Sequence, residues 1–388
     1  MVVVYYTSTG FLDVIIETIQ SIKKEVELHV IIEITPSSKS STIVDVANLD
    51  NFNMVEKPEM ILGNEKWQYL KPYFEGVASV EFVVHKNKKA FSLRTLKTAF
   101  SLGRYLKKYK ANVLHFDSIS TCSIGLYFYA LTKKMFITVH DPAPHSGERS
   151  WRQRILKSIF FPLAKGYFFY SAFAESQFTN YYKKIKKPLH VIKLQPYSYV
   201  TRFLSNKQTS GKNILFFGRL SVYKGIDILL EAIPIVLAKF PNEKFVIAGH
   251  ADYGYKIDEQ LINKYSPNIQ IIKGYLNTEE LVKKIEEAKF IICPYRDATQ
   301  SGVVMTALAA GKMVIATNVG SFSEYIHNGE NGLLSEPNAP AVASKIIEAL
   351  QNDNYKIITQ KVVPGYSKKY GDENQRSILN AYKNQTEE

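Results

Sequence analysis

The chain has 388 residues, enough for two domains, and 46% of them are hydrophobic, which argues against intrinsic disorder. Lys and Arg outnumber Asp and Glu by 49 to 36, and this balance favours anionic partners such as nucleic acid, phosphorylated ligands or an anionic membrane surface. The 2 cysteines stand in apolar runs, so we expect buried thiols in a reducing compartment rather than a disulfide framework. We expect neither a signal peptide nor a transmembrane helix, because no apolar run approaches the necessary length.

Strand-like runs alternate with helical patterns through the first half of the chain. The strands are predicted at residues 2–7, 27–34, 81–86, 113–117, 135–140, 166–172 and 190–195. The clearest helical pattern follows the first strand and places apolar residues on one face from Leu12 to Ile22. Residues 38–80 have weak periodicity and are expected to form an irregular excursion.

The same alternation occurs again in the second half of the chain. Its strands are predicted at residues 213–218, 244–249, 269–274, 289–295 and 312–317. Apolar strands that alternate with helices indicate parallel sheets covered on both faces, so we predict two doubly wound α/β domains. The domains are predicted at 1–201 and 213–365, with the polar segment 202–212 as linker.

Ligands of open α/β sheets bind beyond the carboxyl ends of the strands, and the strand at 213–218 is followed by "GRLSVYKG". Gly218 permits a tight exit, Arg219 offers a two-pronged contact with phosphate, and Lys224 adds a point charge where a helix begins. This order is typical of a phosphate cradle. The alternative is a solvated surface Arg and Lys beside an ordinary turn.

The stretch "ATQSGVVMTALAAG" (298–311) contains no charged residue. Ser301 is predicted to cap a helix that begins at Gly302 and Val303, and free N–H groups there suit an anion. Polar Thr299 and Gln300 precede the cap. The alternative is a tightly packed core helix with an ordinary cap, and the two interpretations are compatible.

A third loop, "VHDPAPHSGERS", places His140 and Asp141 at a strand end, with His145 and Glu148 following. Two histidines with two carboxylates in one loop favour a functional site over a structural histidine, although their spacing fits no firm metal motif. The loop "TSTGFLD" after the first strand lacks the Gly-x-Gly-x-x-Gly pattern, so no dinucleotide site is predicted there.

Four segments in order, "FFGRLSVYKGIDILLEA", "FVIAGH", "GYLNTEELVKKIEEAKFIICPY" and "SGVVMTALAAGKMVIATNVGSFSEYIHNGENGLL", resemble the donor half of glycosyltransferase family 4. The likeness covers about residues 213–350, and "VLHFDS" and "TVHD" are similar to the acceptor half. It implies the glycosyltransferase B fold, with two Rossmann-like domains facing a cleft. It also implies a nucleoside diphosphate sugar donor, retention of anomeric configuration, and a final helix within 366–388 that crosses back to the first domain.

The resemblance gives site residues their expected roles. Arg219 and Lys224 would hold the donor diphosphate as catalytic groups, and His140 would lie beside the donor sugar. The positions near the nucleoside would be Gly249, His250 and Gly274. On the acceptor side, the expected residues are Thr9, Gly10, Asp141 and His145.

The chain departs from the family within the uncharged stretch 298–311. The family commonly has two glutamates eight positions apart, and the aligned positions here are Ala298 and Thr306. Thr306 would keep one hydrogen bond to a ribose, and Thr299, Gln300 or backbone N–H groups would replace the lost sugar contact. Glu324 matches a further family glutamate of the donor site, although the preceding Gly-Gly-x-Pro pattern is altered.

The resulting hypothesis is a retaining glycosyltransferase of the bacterial surface-polysaccharide type. It would move a sugar from a UDP- or GDP-linked donor to a glycan or polyprenyl-linked acceptor, with no cofactor. Because the chain has no Asp-x-Asp pair, no metal is predicted to neutralise the leaving diphosphate. One alternative is a nucleotide-sugar-binding protein that lost turnover with its glutamates. A nucleic-acid-binding protein ranks lowest, because no RNA- or DNA-binding motif occurs.

The excess positive charge has a further interpretation in two basic, aromatic-rich segments, 86–112 and 149–170. The second places Trp151, Ile155, Ile159 and Phe160 near one helical face. Such helices can lie on an anionic leaflet, so we expect a cytoplasmic protein attached peripherally to the inner face of the cytoplasmic membrane. The alternative is an ordinary amphipathic helix packed on the sheet.

Overall fold

Two largely parallel sheets organise the chain, each within its own compact unit. The computed structural model describes residues 1–41, 43–86, 93–117, 119–143, 151–205, 211–251, 255–363 and 368–384. Of these, the first unit contains 1–143, 151–195 and 368–384, and the second contains 196–363. The predicted pair of doubly wound α/β domains is confirmed. The units divide after Gln195, somewhat earlier than the linker predicted at 202–212.

The first unit is built on an eight-stranded sheet. Its strands are β1 Val2–Ser8, β2 Glu27–Ile34, β3 Val55–Glu56, β4 Ser79–Val84, β5 Val113–Phe116, β6 Lys134–Thr138, β7 Ala164–Phe169 and β8 Leu189–Val191. Its helices are α1 Leu12–Ile22, α2 Pro58–Leu62, α3 Asn64–Phe74, α4 Leu93–Leu106, α5 Tyr127–Ala130, α6 Trp151–Phe160 and α7 Ala172–Tyr181. The expectation of an irregular excursion at 38–80 was wrong in part, because α2 and α3 form there.

The second unit is built on a six-stranded sheet. Its strands are β9 Asn213–Phe217, β10 Phe245–Gly249, β11 Ile269–Lys273, β12 Ala288–Cys293, β13 Val314–Thr317 and β14 Gly332–Ser335. Its helices are α8 Ile226–Leu237, α9 Glu259–Lys264, α10 Thr278–Glu287, α11 Gly302–Ala309, α12 Ala339–Leu350 and α13 Asn354–Lys361. The sequence had not predicted β14, a four-residue strand paired with β13.

Both sheets reverse their strand order at one point. The first has the order β3-β4-β2-β1-β5-β6-β7-β8 and the second β11-β10-β9-β12-β13-β14. In each sheet, the order reverses between the first strand of the unit and the fourth parallel strand in chain order. These neighbours are β1 and β5 in the first sheet and β9 and β12 in the second. Such a switch point leaves a crevice beyond the carboxyl ends of the two strands, where ligands bind in open α/β sheets.

The core of each unit follows from apolar strands buried on both faces. In β1 the residues from Val3 to Tyr6 are at most 1% exposed, and the apolar face of α1 is buried from Leu12 to Ile22. Both cysteines are free and buried, as expected. No helix in the described residues is long and apolar enough to cross a membrane.

The last helix, α14 (Lys368–Asn384), belongs to the first unit and packs on α1. The Asn374 side chain exchanges two hydrogen bonds of 2.7 and 2.8 Å with the backbone of Lys193, just after β8. The Tyr382 hydroxyl shares a hydrogen bond with Nδ1 of His115 in β5. The chain therefore completes its first unit with its last helix.

Candidate functional site

Three glycines line up where β9, β10 and β11 end. The Gly218 N–H donates to the Ala248 carbonyl, and the Gly274 N–H donates to the Gly249 carbonyl, each at 3.0 Å. A Cβ at Gly249 would lie 1.8 Å from the Gly218 carbonyl oxygen, so only glycine fits there. Gly218 has φ of 120°, a conformation that side chains disfavour. The edge of the second sheet is therefore bare backbone that a ligand can approach closely.

Arg219 and Lys224 follow β9 but occupy different environments. Arg219 is exposed, and its Nη2 donates to the Tyr223 hydroxyl at 3.1 Å. Lys224 is only 8% exposed, and its Nζ donates to the Tyr295 hydroxyl at 2.7 Å. A buried ammonium needs hydrogen-bond partners. The alternative of two solvated surface cations therefore describes Arg219 and not Lys224.

The loop after β9 is fixed against the loop after β12. Gly225 has φ of 63°, and a Cβ there would lie 1.9 Å from the Pro294 carbonyl oxygen. The Arg296 N–H donates to the Tyr223 carbonyl at 2.7 Å, and its guanidinium forks onto the Asp227 carboxylate. The two loops at the β9–β12 switch point thus form one rigid wall.

Helix α11 begins beside that wall. Ser301 is its N-cap and accepts a hydrogen bond from the Val304 N–H, which confirms the predicted cap and helix start. A Cβ at Gly218 would lie 3.1 Å from Val303 Cγ2, so the first turn of α11 packs on the bare strand end. Gly302 and Val303 remain partly exposed. The backbone N–H groups of this turn therefore lie next to the loop that carries Arg219, which suits an anion.

The positions that lack glutamates are buried. Ala298 is 1% exposed, and its carbonyl accepts the Ser321 N–H at 2.9 Å. Thr299 and Thr306 are 2% and 7% exposed, whereas Gln300 is half-buried. Of the two residues predicted to replace the sugar contact, Gln300 is therefore the more accessible.

The remaining donor-side predictions fall on the same sheet edge. His250 is exposed and its ring stacks on Tyr275, with ring centroids 5.0 Å apart and planes 17° from parallel. These rings follow β10 and β11, beside Gly249 and Gly274. Glu324 ends a short 3-10 helix and is half-buried. The roles of these residues stay predictions.

At the switch point of the first sheet, His140 pairs with Asp117. His140 Nε2 lies 3.2 Å from Asp117 Oδ2, and both side chains are at most 4% exposed. The same carboxylate accepts hydrogen bonds from the Tyr5 hydroxyl at 3.0 Å and the Thr7 hydroxyl at 2.9 Å. Burial alone would raise the pKa of Asp117, but the charge and hydrogen bond of His140 lower it below the ordinary value. The structure thus holds Asp117 as a carboxylate.

The His140 ring is fixed on its other side by Phe11. The two rings stack with centroids 3.9 Å apart and planes 14° from parallel. Asp13, two residues later in α1, has its pKa raised to about 6, mainly by burial and also by the charge of Asp117, although His140 and backbone hydrogen bonds oppose the rise. Asp117 and Asp13 were not predicted from the sequence. Asp117 could have been found from its position, because it follows a strand as His140 does, whereas Asp13 lies within α1.

The acceptor-side predictions lie near this switch point where the structure describes them. The Thr9 hydroxyl donates to the Ser38 carbonyl at 2.5 Å, and Gly10 is exposed. The Asp141 carbonyl accepts a 2.8 Å hydrogen bond from Lys157 Nζ. His145 and Glu148 lie outside the described residues. Among the residues that the structure describes, no group of three or more His, Cys, Asp or Glu residues could hold a metal ion.

Comparison with known proteins finds a family likeness in the second unit. The family model for glycosyl transferases group 1 matches residues 211–352. An uncharacterized glycosyltransferase of Methanocaldococcus jannaschii is 29% identical over 157 residues, which are 40% of this chain and 43% of that protein. The phosphatidyl-myo-inositol mannosyltransferase of Mycobacterium tuberculosis is 28% identical over 150 residues, 37% of this chain and 39% of that protein. The chain thus aligns with less than half the length of these curated relatives.

Solved structures extend the likeness of fold to both units. A glycosyltransferase of Rickettsia africae superposes with a TM-score of 0.62 at 18% identity, covering 99% of this chain and 98% of that one. The HepE protein of Anabaena, solved with UDP and glucose, gives 0.64 at 14% identity, covering 100% and 99%. An Escherichia coli trehalose-6-phosphate protein bound to UDP-2-fluoro glucose gives 0.65 at 10% identity, covering 98% and 99%. At these identities the likeness establishes the fold alone, and it confirms the predicted fold class.

Proposed function

Because residues 211–352 form a domain of the glycosyl transferases group 1 family, we propose that this protein moves a sugar from a nucleoside diphosphate donor to an acceptor hydroxyl. The observation that carries the proposal is the wall at the β9–β12 switch point. It brings exposed Arg219, buried Lys224 and the first turn of α11 to one sheet edge. This set of two cations and free N–H groups matches a diphosphate.

In the proposed reaction, the bond between the anomeric carbon and the diphosphate oxygen breaks, and the acceptor oxygen takes the diphosphate's place with retention of configuration. Negative charge grows on the departing diphosphate. Arg219 and Lys224 stabilise that charge, and the buried position of Lys224 strengthens its effect because water screens it less. These groups perform the neutralisation with side chains and backbone alone.

The sugar and acceptor contacts are assigned to the first unit. His140, held by Asp117 and Phe11, would face the donor sugar with a fixed ring orientation. Thr9, Gly10 and Asp141 would contact the acceptor from the same strand ends. We propose a glycan or lipid-linked acceptor in surface-polysaccharide synthesis, a class suggested by the lipid named for the mycobacterial relative.

A thermal-shift panel tests the donor assignment. UDP, GDP and ADP, each free and sugar-linked, would be added to the full chain, starting with UDP because two of the structural relatives hold UDP or a UDP-sugar. A ligand bound only by the native state raises the melting temperature with its concentration. Stabilisation by UDP or GDP supports the proposal. A panel in which no nucleotide shifts the transition contradicts it.

Ala298 and Thr306 favour a second candidate, a nucleotide-sugar-binding protein without turnover. Neither position offers a carboxylate, and Ala298 is enclosed by the Ser321 backbone. Transfer and donor hydrolysis separate the two candidates. Nucleotide binding without release of diphosphate, across the donors that bind and with lipid-linked and free glycans as acceptors, would favour the binding protein.

The membrane proposal now rests on the first of the two predicted segments, 86–112, rather than on α6. In α6, Phe160 is fully buried and Ile159 packs partly buried against the core, so part of the predicted lipid-facing stripe packs in the core; Ile155 is 41% exposed. The first unit instead exposes Phe100 and Phe128, which are 44% and 62% exposed and stack 5.8 Å apart. We propose that this aromatic pair, together with exposed cations on α4, attaches the protein to an anionic leaflet.

Vesicle sedimentation at low salt tests this attachment. Phosphatidylglycerol vesicles should retain the protein, and neutral phosphatidylcholine vesicles should not. Replacing Phe100 and Phe128 with serine should reduce retention, whereas Ile357→Ser, at a 55% exposed site on α13, should not. Equal recovery in the supernatant with both lipids would remove the membrane from the proposal.

A further inference from the structure

Tyr295 stands two residues beyond β12, between the elements that form the proposed diphosphate site. Its ring is 1% exposed and lies edge-on to Tyr223, with centroids 6.2 Å apart. On another side it meets Phe322 at 5.2 Å. Its carbonyl accepts a 2.5 Å hydrogen bond from the Thr317 hydroxyl. Ring and backbone are thus held from several directions, so the hydroxyl has a fixed position.

That hydroxyl lies between the loop after β9 and the N-terminus of α11. It accepts the 2.7 Å hydrogen bond from Lys224 Nζ, and the Ser301 side chain lies close enough to act on the same phenol, opposing the rise of its pKa. Ser301 is the N-cap of α11. Lys224 Nζ also lies 4.0 Å from the centre of the Tyr295 ring. One phenol therefore links the buried cation to the first turn of the anion-facing helix.

A neutral hydroxyl suits this position for an electrostatic reason. Lysine is a point charge on a flexible four-carbon stem, so its aim depends on what holds the ammonium. A carboxylate would hold it but would also neutralise it. Burial raises the pKa of Tyr295 well above its ordinary value, so the phenol stays uncharged at neutral pH. It can satisfy one N–H of Lys224 while leaving the positive charge for an anion.

We propose that Tyr295 is a positioning residue for diphosphate binding, which acts by fixing Lys224 relative to the N-terminus of α11. This inference rests on the proposed function, because it needs a diphosphate at the site. It makes the phenol hydroxyl, rather than the ring, the functional group. Removing the hydroxyl should then weaken diphosphate binding through Lys224 and leave the packing of the ring intact.

The test is a cycle of four full-length proteins, namely wild type, Tyr295→Phe, Lys224→Gln and the double variant. Dissociation constants for UDP and GDP are measured by calorimetry. Because hydrogen bonds to charged groups are the strong ones, Tyr295→Phe should raise the constant of the nucleotide that binds by roughly ten- to a hundredfold. In the Lys224→Gln background the same change should have no further effect. Tyr355→Phe, at a buried ring that packs on Phe290, is the matched control and should bind like wild type.

Each outcome decides between the alternatives. A loss of equal size in both backgrounds would show that Tyr295 acts on the fold and not through Lys224, which overturns the inference. Wild-type binding by Tyr295→Phe also overturns it while leaving the proposed function intact. If the wild-type protein binds neither UDP nor GDP, the proposed function fails and the role of Tyr295 fails with it.

Discussion

Replacing Asp117 with asparagine would remove one charge from a buried pair while keeping the shape of the side chain. The carboxylate is 0% exposed, accepts hydrogen bonds from the Tyr5 and Thr7 hydroxyls, and lies 3.2 Å from His140 Nε2. Breaking a buried ion pair at one partner typically costs about 3–5 kcal/mol. Asparagine keeps one acceptor oxygen, so we expect the lower end, a loss of about 3 kcal/mol in the free energy of unfolding at pH 7.

The loss should also depend on pH. The pKa of Asp117 is lowered in the folded protein, so the native state favours the charged form. Its stabilisation is complete above the ordinary Asp value of about 4 and disappears as the pH falls through the folded value. The wild-type protein and Asp117→Asn should therefore converge in stability in acid.

Tryptophan fluorescence provides an assay specific to the first unit. The chain has 2 tryptophans, Trp67 in α3 and Trp151 in α6, and both belong to that unit. Urea unfolding followed by fluorescence would be compared at several pH values, with Asp50→Asn at an exposed site as control. A loss below about 1 kcal/mol at pH 7, or a loss that stays constant into acid, would refute a charged Asp117–His140 pair.

Further predictions concern other groups. Arg219→Ala should lower kcat about a hundred- to a thousandfold without changing the melting temperature, since the side chain is exposed; near-normal transfer would reject its role. Gly225→Ala should destabilise the second unit and weaken UDP or GDP binding, because its Cβ would meet Pro294 at 1.9 Å. Gly329 has a similar positive φ, but a Cβ there would meet open space, so Gly329→Ala should lower the melting temperature less. Equal losses of melting temperature would assign both effects to backbone strain. The free energy of unfolding should fall as the pH rises from about 4 to 6, because Asp13, with a pKa of about 6, ionises less readily in the folded protein than in the unfolded chain. Asp13→Asn should abolish that decline and be more stable than wild type at pH 7 in urea titrations; an unchanged slope would contradict the raised pKa.

Local pattern was sufficient to predict most of the fold. Strands such as β9 and β10 are mostly continuous apolar runs bounded by polar residues, and Ser301 alone indicates the start of α11. The short strand β14 escaped because four residues give too little periodicity to identify. Helix α2 escaped because five residues give too little periodicity, and α3 escaped because it buries three residues, Trp67, Leu70 and Phe74, and contains Pro72.

The side chains around the sites were harder to predict, because their partners come from distant parts of the chain. Asp117 is held by Tyr5 and Thr7, which precede it by 112 and 110 residues, and only the β1–β5 pairing brings them together. Tyr295 looked like the end of an apolar strand, and its hydroxyl gains meaning only beside Lys224, 71 residues earlier. The sequence indicated which loops carry the sites, whereas the order of the strands determines which side chains meet.

The position of α14 affects how the protein can be made. The first unit cannot close until α14 has been synthesised, and α14 follows the whole of the second unit, which needs only residues 196–363. Domains generally fold as units during synthesis, so we expect the second unit to finish first although the first unit emerges earlier. Until then the sheet around His115 lacks Tyr382, and its apolar surface is open to chaperones. Loss of α14 should therefore damage the first unit and spare the second unit, which precedes α14 in the chain.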